Sequence, residues 1–419
     1  MRILRMTRDA FSARIGVGRR ALDSWLLPEH SAEFRAMPEI ARRFVSEIMA
    51  SQIEAAAPAG RAASGESPEQ GFTWKDQRHL LSVDQFDRDS VDELFRLADV
   101  MQPIARRSKV TRVLEGAVLA NLFFEPSTRT RLSFAAAFCR LGGSVCDTTG
   151  FTFSSMAKGE SIADTSRVIS GYADIIVVRH PDQGSVAEFA RPTNVPVVNG
   201  GDGAGEHPTQ ALLDLYTIQN EFSRLGRPVD GARIALIGDL KYGRTVHSLL
   251  KLLTLYHGLD IMLVSPPSLE MPGAIIERAE SAGHKIHAFT SLGKHLHTAD
   301  VIYSTRIQKE RLGEESIEGY DASFELNRAA IEAYCKSNVV IMHPLPRDGR
   351  PGSHDLSVDL DTDPRLAIFR QTDQGIPIRM AIFATLLGVA PLVQRSMRDS
   401  TWRSPRPLRP GDVVAEEHF

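Results

Sequence analysis

Cysteine is scarce in this chain: Cys139, Cys146 and Cys335 are the three among 419 residues, and no two form a CxxC pair. That excludes a disulfide framework and a cysteine zinc site, and it suits a reducing cytosol. An excess of charge of one sign is also lacking. With 49 basic against 52 acidic side chains the net charge is -3, so the chain as a whole is no polyanion binder. Long apolar runs are missing, since stretches such as Ala117–Phe124 and Ile175–Val178 fall far short of the ~20 residues that span a bilayer. The basic start, Met1 to Asp9, is not followed by the apolar segment of a secretion signal. No GxxxxGK followed by Ser or Thr occurs, so a nucleotide phosphate loop is not expected. No metal-ligand spacing is found, and no cofactor is expected. The expectation is a soluble, cytoplasmic protein without a membrane partner.

What is present fits two or three globular domains, at 42% hydrophobic and 24% charged residues. Residues 1–50 read as a small helical unit. Residues 51–73 read as a flexible linker, because 13 of the 17 positions in Ala55–Gly71 are Ala, Gly, Pro or Ser and cannot offset their ordering entropy. Residues 395–419, with three prolines and no apolar periodicity, read as a mobile tail. Between them, short apolar β-type runs alternate with amphipathic helical patterns. Strands are predicted at Val118–Phe124, Asp174–Val178 and Val195–Val198, then at Arg233–Gly238, Asp260–Val264, Val301–Ser304 and Val339–Met342. Helices are predicted at Arg131–Leu141 and Pro208–Glu221. The fold class is therefore α/β: two doubly wound parallel-sheet domains, 74–210 and 211–375, with the active site between them at the carboxyl ends of the strands. A helix within 376–394 is expected to pack back on the first domain.

The strongest local signal is Phe124–Arg131, FEPSTRTR, at a strand-to-helix junction. Free N–H groups at a helix N-terminus, with the dipole behind them, attract an anion. Ser127, Thr128 and Thr130 add hydroxyl donors, and Arg129 adds a fork that grips phosphate bidentately. An ordinary capped helix does not explain two arginines in a first turn, where they oppose the dipole.

This motif is similar to the phosphate-binding Ser-x-Arg-Thr-Arg of the aspartate/ornithine carbamoyltransferase family. Further matches follow in family order: Ser154–Ser161 (SSMAKGES), Val178–Pro181 (VRHP), Glu206–Gln210 (EHPTQ), Gly238–Arg244 (GDLKYGR), Thr305–Glu310 (TRIQKE) and His343–Arg347 (HPLPR). The resemblance runs from about Trp74 to Val393. It implies that 74–210 binds carbamoyl phosphate, that 211–375 binds the amino acid, and that the carbamoyl group passes to the amine.

The resemblance assigns Ser127, Thr128, Arg129, Thr130, Arg179, His207, Gln210, Ser154 and Leu345 to carbamoyl phosphate, with Arg129, Thr130, His207 and Lys158 in catalytic roles. Lys158, Arg244, Arg306, Gln308 and Pro346 are assigned to aspartate. The physical chemistry agrees with these roles. His207 starts a helix, where the dipole disfavours imidazolium, and a neutral imidazole donates one hydrogen bond to an oxygen gaining charge. A dicarboxylate needs separated guanidinium partners, which Arg244 and Arg306 supply. The GDLKYG stretch before Arg244 is not a GxGxxG dinucleotide fingerprint. The ornithine branch carries His-Cys-Leu-Pro where this chain has Pro344, which favours L-aspartate over an ornithine-type or other amine substrate. The resemblance also implies a homotrimer in which Ser154 and Lys158 complete a neighbour's site, with room for higher assembly with other chains. Glu125 is expected to pair with Arg244 or Arg311 across the cleft. The stretch Asp348–Asp363 is longer than is usual in the family.

The segment 1–50 falls outside the resemblance. Phe11–Leu26 has the pattern of a helix-turn-helix, and residues 1–20 hold six Arg against one Asp, which would attract nucleic-acid phosphates. Short helical pairs more often dock or pack, so nucleic-acid binding is the lesser reading of 1–50. A DNA-binding regulator that keeps the fold as an effector sensor is the alternative from another class. Loss of a catalytic residue would favour it, and none is lost.

Overall fold

The computed structural model describes residues 78–150, 159–307, 322–350 and 354–402, together with Arg20, Asp23, Ser24 and Ser31. The expected helix-turn-helix in 1–50 and the linker 51–73 lie outside the described residues, those four positions apart.

Helix α1 (Arg88–Ala105) opens on a reciprocal cap. The Asp87 carboxylate accepts from the Ser90 backbone N–H, and the Ser90 hydroxyl accepts from that of Asp87. It buries Val91, Leu94, Phe95, Ala98 and Met101 at three- to four-residue spacing. There follow β1 (Lys109–Val110), β2 (Val118–Phe123), α2 (Arg129–Arg140), β3 (Ser144–Thr149), α3 (Ile162–Ile169), β4 (Ile175–His180), α4 (Ser185–Ala190), β5 (Val197–Asp202) and α5 (Pro208–Arg224). A second series comprises β6 (Arg233–Gly238), α6 (Arg244–Leu253), β7 (Asp260–Val264), α7 (Gly273–Ser281), β8 (Lys285–Phe289), β9 (Val301–Thr305), α8 (Arg328–Tyr334) and β10 (Val340–Met342). The chain then enters α9 (Ile368–Leu386), α10 (Ala390–Ser396) and β11 (Arg398–Asp399).

The first series builds a four-stranded parallel sheet in the order β3-β2-β4-β5, and the second a five-stranded parallel sheet in the order β10-β9-β6-β7-β8. This is the predicted α/β architecture of two parallel sheets. Helices cover both faces, so the inner strands read as unbroken apolar runs: Ile175–Val178 and Ile234–Ile237 are buried throughout. The edge strands β3, SVCDTT, and β8, KIHAF, lack such a run, and the sequence predicts no strand at either place. An edge strand is partly solvated and needs no continuous apolar side.

Where one segment is expected at 376–394, the structure has α9 from Ile368, a break at Leu387–Val389, and α10. Helix α9 packs on α1, α2 and α5, and Phe383 meets Phe134 and Phe138 edge-on at 5.9 and 5.1 Å. From the expected tail 395–419, Arg398–Asp399 pairs antiparallel with Lys109–Val110, and 403–419 lie outside the described residues. Among the described residues no single helix is long and apolar enough to cross a membrane.

Candidate active site

The chemistry-bearing side chains follow the C-terminal ends of strands in both sheets. Strand β2 leads into Glu125–Thr130, β4 carries Arg179 next to its last residue, and β5 leads to His207. In the second sheet β6 leads to Arg244, β9 to Arg306, and β10 to His343–Pro346. These segments line one cavity of about 790 Å³, with Gln371, Thr372 and Arg379 of α9 completing its wall. Close strand packing at the rim requires Gly238: with φ +113°, an added Cβ there would lie 2.1 Å from the Thr305 carbonyl oxygen.

Helix α2 begins at Arg129 without a side-chain cap and without an acid in its first turn, so its dipole and first-turn N–H groups have no carboxylate partner there. Partial burial, and after it the nearby Arg306 guanidinium, lower the Arg129 pKa. Two like charges so placed favour an anion between them. Arg179 and Arg244 are held by one carboxylate: Glu125 Oε2 lies 2.9 Å from Arg179 Nε and 3.4 Å from Arg244 Nη2. Arg244 Nη1 also donates to the Gly203 carbonyl at 2.5 Å. The expected Glu125–Arg244 pair is present, Arg179 joins it, and Arg311 lies outside the described residues.

His207 is the N-cap of α5, followed by Pro208 in the first turn. Its backbone N–H donates to Ser248 Oγ at 3.2 Å. Burial, then the Arg244, Arg179 and Arg379 guanidinium groups, hold its pKa well below the usual histidine range, so the imidazole is neutral. Its Nδ1 is buried without a protein partner among the described residues. A neutral ring with an uncommitted nitrogen is suited to hydrogen-bonding a ligand oxygen rather than to acting as a cation.

Arg306 donates from Nη1 to the Ile307 carbonyl at 3.0 Å, beside the proline loop. In that loop Leu345 takes a left-handed conformation (φ +57°) ahead of the cis Leu345-Pro346 bond. Its N–H donates to His343 Nδ1 at 2.8 Å, and the His343 N–H donates to Gln371 Oε1 at 3.0 Å. The loop is thereby tied to α9. Its continuation Asp348–Asp363 is described except for 351–353, and Arg347 Nη1 reaches Asp361 Oδ1 at 2.7 Å.

Of the predicted residues, the cavity brings together Ser127, Thr128, Arg129, Thr130, Arg179, His207, Gln210, Arg244, Arg306, Leu345 and Pro346. Ser154, Lys158 and Gln308 lie outside the described residues. Arg379 is the main residue the sequence does not reveal. It is buried in α9, its guanidinium lies 4.7 Å over the Phe134 ring, and Nη1 donates to Ser133 Oγ at 2.8 Å. Burial pushes its pKa down to about 10. Gly375 makes room for it, since a Cβ there would lie 2.3 Å from Arg379 Nη1. The signal that could have found it is a lone Arg inside the apolar run Ile376–Phe383, a position where an unpaired charge is rare.

Among the described residues, Arg129, Arg179, Arg244, Arg306 and Arg379 therefore line the cavity against the single carboxylate of Glu125. Such a surplus selects anionic ligands and strengthens as water is displaced. Among the described residues no group of three or more His, Cys, Asp or Glu could hold a metal ion.

Comparison with known proteins agrees with this geometry. Residues 78–220 match the carbamoyl-P binding domain of the aspartate/ornithine carbamoyltransferases, and residues 230–386 match their Asp/Orn binding domain. The chain is 56% identical over 325 residues to the aspartate carbamoyltransferase catalytic subunit of Saccharophagus degradans, covering 77% of this chain and 96% of that protein. It is 55% identical to the corresponding subunit of Cellvibrio japonicus, with 78% and 97% covered. Among solved structures, aspartate transcarbamoylase from Trypanosoma cruzi in complex with carbamoyl phosphate superposes with a TM-score of 0.68 at 41% identity, covering 73% of this chain and 95% of that one. The catalytic subunit of the Methanocaldococcus jannaschii enzyme gives 0.67 at 43% identity, with 74% and 98% covered. The chain belongs to the aspartate/ornithine carbamoyltransferase family.

Proposed function

We propose that this chain transfers the carbamoyl group of carbamoyl phosphate to the amino group of L-aspartate, releasing N-carbamoyl-L-aspartate and phosphate, a step of pyrimidine biosynthesis. One observation carries the reading: a single cavity holds two arginine groups, one from each sheet's strand ends, with the neutral His207 beside them. The aspartate branch is supported by the His343–Arg347 string and by relatives at 55–56% identity that are aspartate carbamoyltransferases.

In this mechanism Ser127, Thr128, Arg129 and Arg179, with Lys158 and Ser154 of a neighbouring chain, hold the phosphate. Arg244, Arg306 and Gln308 hold the two carboxylates of aspartate. The uncharged amine attacks the carbamoyl carbon, a C–N bond forms, and the carbonyl electron pair moves onto oxygen. Arg129, Thr130 and His207 donate hydrogen bonds to that oxyanion, and a neutral donor suffices because the guanidinium groups supply the charge. The C–O bond to phosphate then breaks, the electron pair leaves with phosphate, and phosphate takes the amine proton. The rate gain comes from alignment of two anions that repel each other in water and from oxyanion stabilisation.

The same reading makes the working unit a homotrimer in the cytoplasm, with sites shared between chains and with docking of further chains open to it. It leaves nucleic-acid binding as the lesser role of residues 1–50. The test is product stoichiometry: with carbamoyl phosphate and L-aspartate, one N-carbamoyl-L-aspartate should appear per phosphate released. Phosphate release without carbamoylated product would overturn it.

A further inference from the structure

Behind the cavity wall lies a fully buried carboxylate, Asp214, to which the mechanism gives no role. It sits on α5 one turn after Gln210. Its Oδ1 accepts from Gln210 Nε2 at 2.9 Å and from Gln371 Nε2 at 2.6 Å, and its Oδ2 accepts from the Tyr303 hydroxyl at 2.7 Å. Three elements meet there: α5 beside the first sheet, β9 of the second, and the crossing helix α9.

We infer that Asp214 is a positioning residue: its Oδ1 fixes the carboxamides of Gln210 and Gln371 so that each presents its oxygen outward, one to the carbamoyl amino group and one to the proline loop. The argument is one of donor and acceptor sense. A carboxamide has one donating and one accepting end, and in a buried site it takes whichever orientation leaves neither unsatisfied. Oδ1 can only accept. Both glutamines must turn Nε2 inward, which leaves both Oε1 atoms as acceptors on the other side. For Gln371 the consequence is visible, because Oε1 accepts the His343 N–H at 3.0 Å. Gln210 lines the cavity, and its Oε1 is the end left for a ligand that donates. The carbamoyl NH2 is such a donor, whereas phosphate and both aspartate carboxylates only accept.

The arrangement persists in either protonation state. The groups facing Asp214 are the Tyr303 phenol and, more distantly, the Arg379 guanidinium. A proton taken up by the carboxyl is accommodated on Oδ2 against the phenol oxygen, and Oδ1 remains an acceptor. Hence Asn at this position, with Oδ1 toward the glutamines and Nδ2 toward Tyr303, preserves the sense, while a side chain with no acceptor frees both amides to flip.

This inference rests on the carbamoyl phosphate reading of the site, and the test separates the two. Acetyl phosphate has the same charge and nearly the same shape but a methyl where carbamoyl phosphate has NH2. Wild-type turnover with carbamoyl phosphate and aspartate comes first, and its absence would count against the proposed function. With that activity in hand, the dissociation constants of carbamoyl and acetyl phosphate are measured for wild type, Asp214→Ala and Asp214→Asn, with thermal melts to verify folding. The preference for carbamoyl phosphate should fall about tenfold in Asp214→Ala, the worth of one hydrogen bond to a buried acceptor, and should be retained in Asp214→Asn. A general packing defect would weaken both ligands equally and leave the ratio unchanged. If Asp214→Ala does not fold, Asp214→Leu, similar in size and with no acceptor, replaces it with the same loss expected. An unchanged ratio in the alanine or leucine variant, or a ratio lost in Asp214→Asn, would overturn the inference.

Discussion

Replacing Glu125 by Gln removes the one carboxylate that lines the cavity among the described residues while keeping its shape. Glu125 Oε2 lies 2.9 Å from Arg179, on the first sheet, and 3.4 Å from Arg244, at the start of α6 beside the second. At an effective dielectric near 20 the gross Coulomb attraction is about 5–6 kcal/mol per pair. Desolvation offsets most of it, and the Glu125 side chain is 24% exposed, which lowers the net to ~1–2 kcal/mol for the contact that spans the two sheets. Arg244 keeps its bond to Gly203, just past β5 of the first sheet, so one contact between the two halves remains and the loss is confined to the Glu125 bridge. The expected outcome is a fall of about 5- to 30-fold in kcat/KM for aspartate. Carbamoyl phosphate should bind as well as before or more tightly, because a cavity already rich in guanidinium loses a negative charge. Steady-state kinetics against aspartate, together with equilibrium binding of carbamoyl phosphate, read both quantities. If carbamoyl phosphate weakens in parallel with aspartate, Glu125 is holding the phosphate site together and the account of it as a bridge is wrong.

Arg129→Ala should lower kcat by ~10²–10³, as expected for a donor that acts where charge develops; a variant within twofold of wild type would contradict its role. Activity should survive exhaustive chelation, and inactivation that added metal reverses would sink the metal-free mechanism. Burial pushes the Asp214 carboxyl up to about 7, above the ~3.9 of an unfolded chain. A carboxyl raised in this way contributes stability that is full below about pH 4 and lost as pH rises through about 7. Wild type should therefore lose about 2–3 kcal/mol more than Asp214→Asn between about pH 5 and pH 7, read by urea unfolding at both pH values; parallel losses would refute it. Pure Arg129→Ala and Lys158→Ala assemblies should each be nearly inactive. Dissociated, mixed equally and reassembled, they should recover toward about a quarter of wild-type activity if sites are shared around a cyclic trimer; hybrids verified by native mass spectrometry that stay inactive would exclude sharing through Lys158.

The cavity's phosphate side was legible because its residues are local. Ser127–Thr130 sit in one turn at a strand end, and the physics of a helix terminus is enough to mark them as an anion site. Arg179, His207, Arg244 and Arg306 were assigned through the family resemblance, because a lone Arg or His past a strand, read by itself, is more often a surface or packing residue. The inner strands were legible for the same reason of burial, and the edge strands β3 and β8 were not. Asp214 reads in sequence as one polar position in an amphipathic helix. Gln371 and Arg379 belong to α9, which meets the site only after the chain has built both sheets and crossed back. Tyr303 reads as a strand core residue, and its hydroxyl finds Asp214 only through packing of β9 against α5. What escaped is the set of partners supplied by other elements, which no local periodicity encodes.

The central claim is the choice of acceptor amine, and direct competition tests it. L-Aspartate and L-ornithine at equal concentration are offered with limiting carbamoyl phosphate, and both carbamoylated products are quantified. Ornithine places an ammonium group where Arg306 would receive a carboxylate, a like-charge contact costing several kcal/mol in a partly desolvated pocket. The account predicts N-carbamoyl-L-aspartate as essentially the sole product, and comparable yields of carbamoylated ornithine would contradict it.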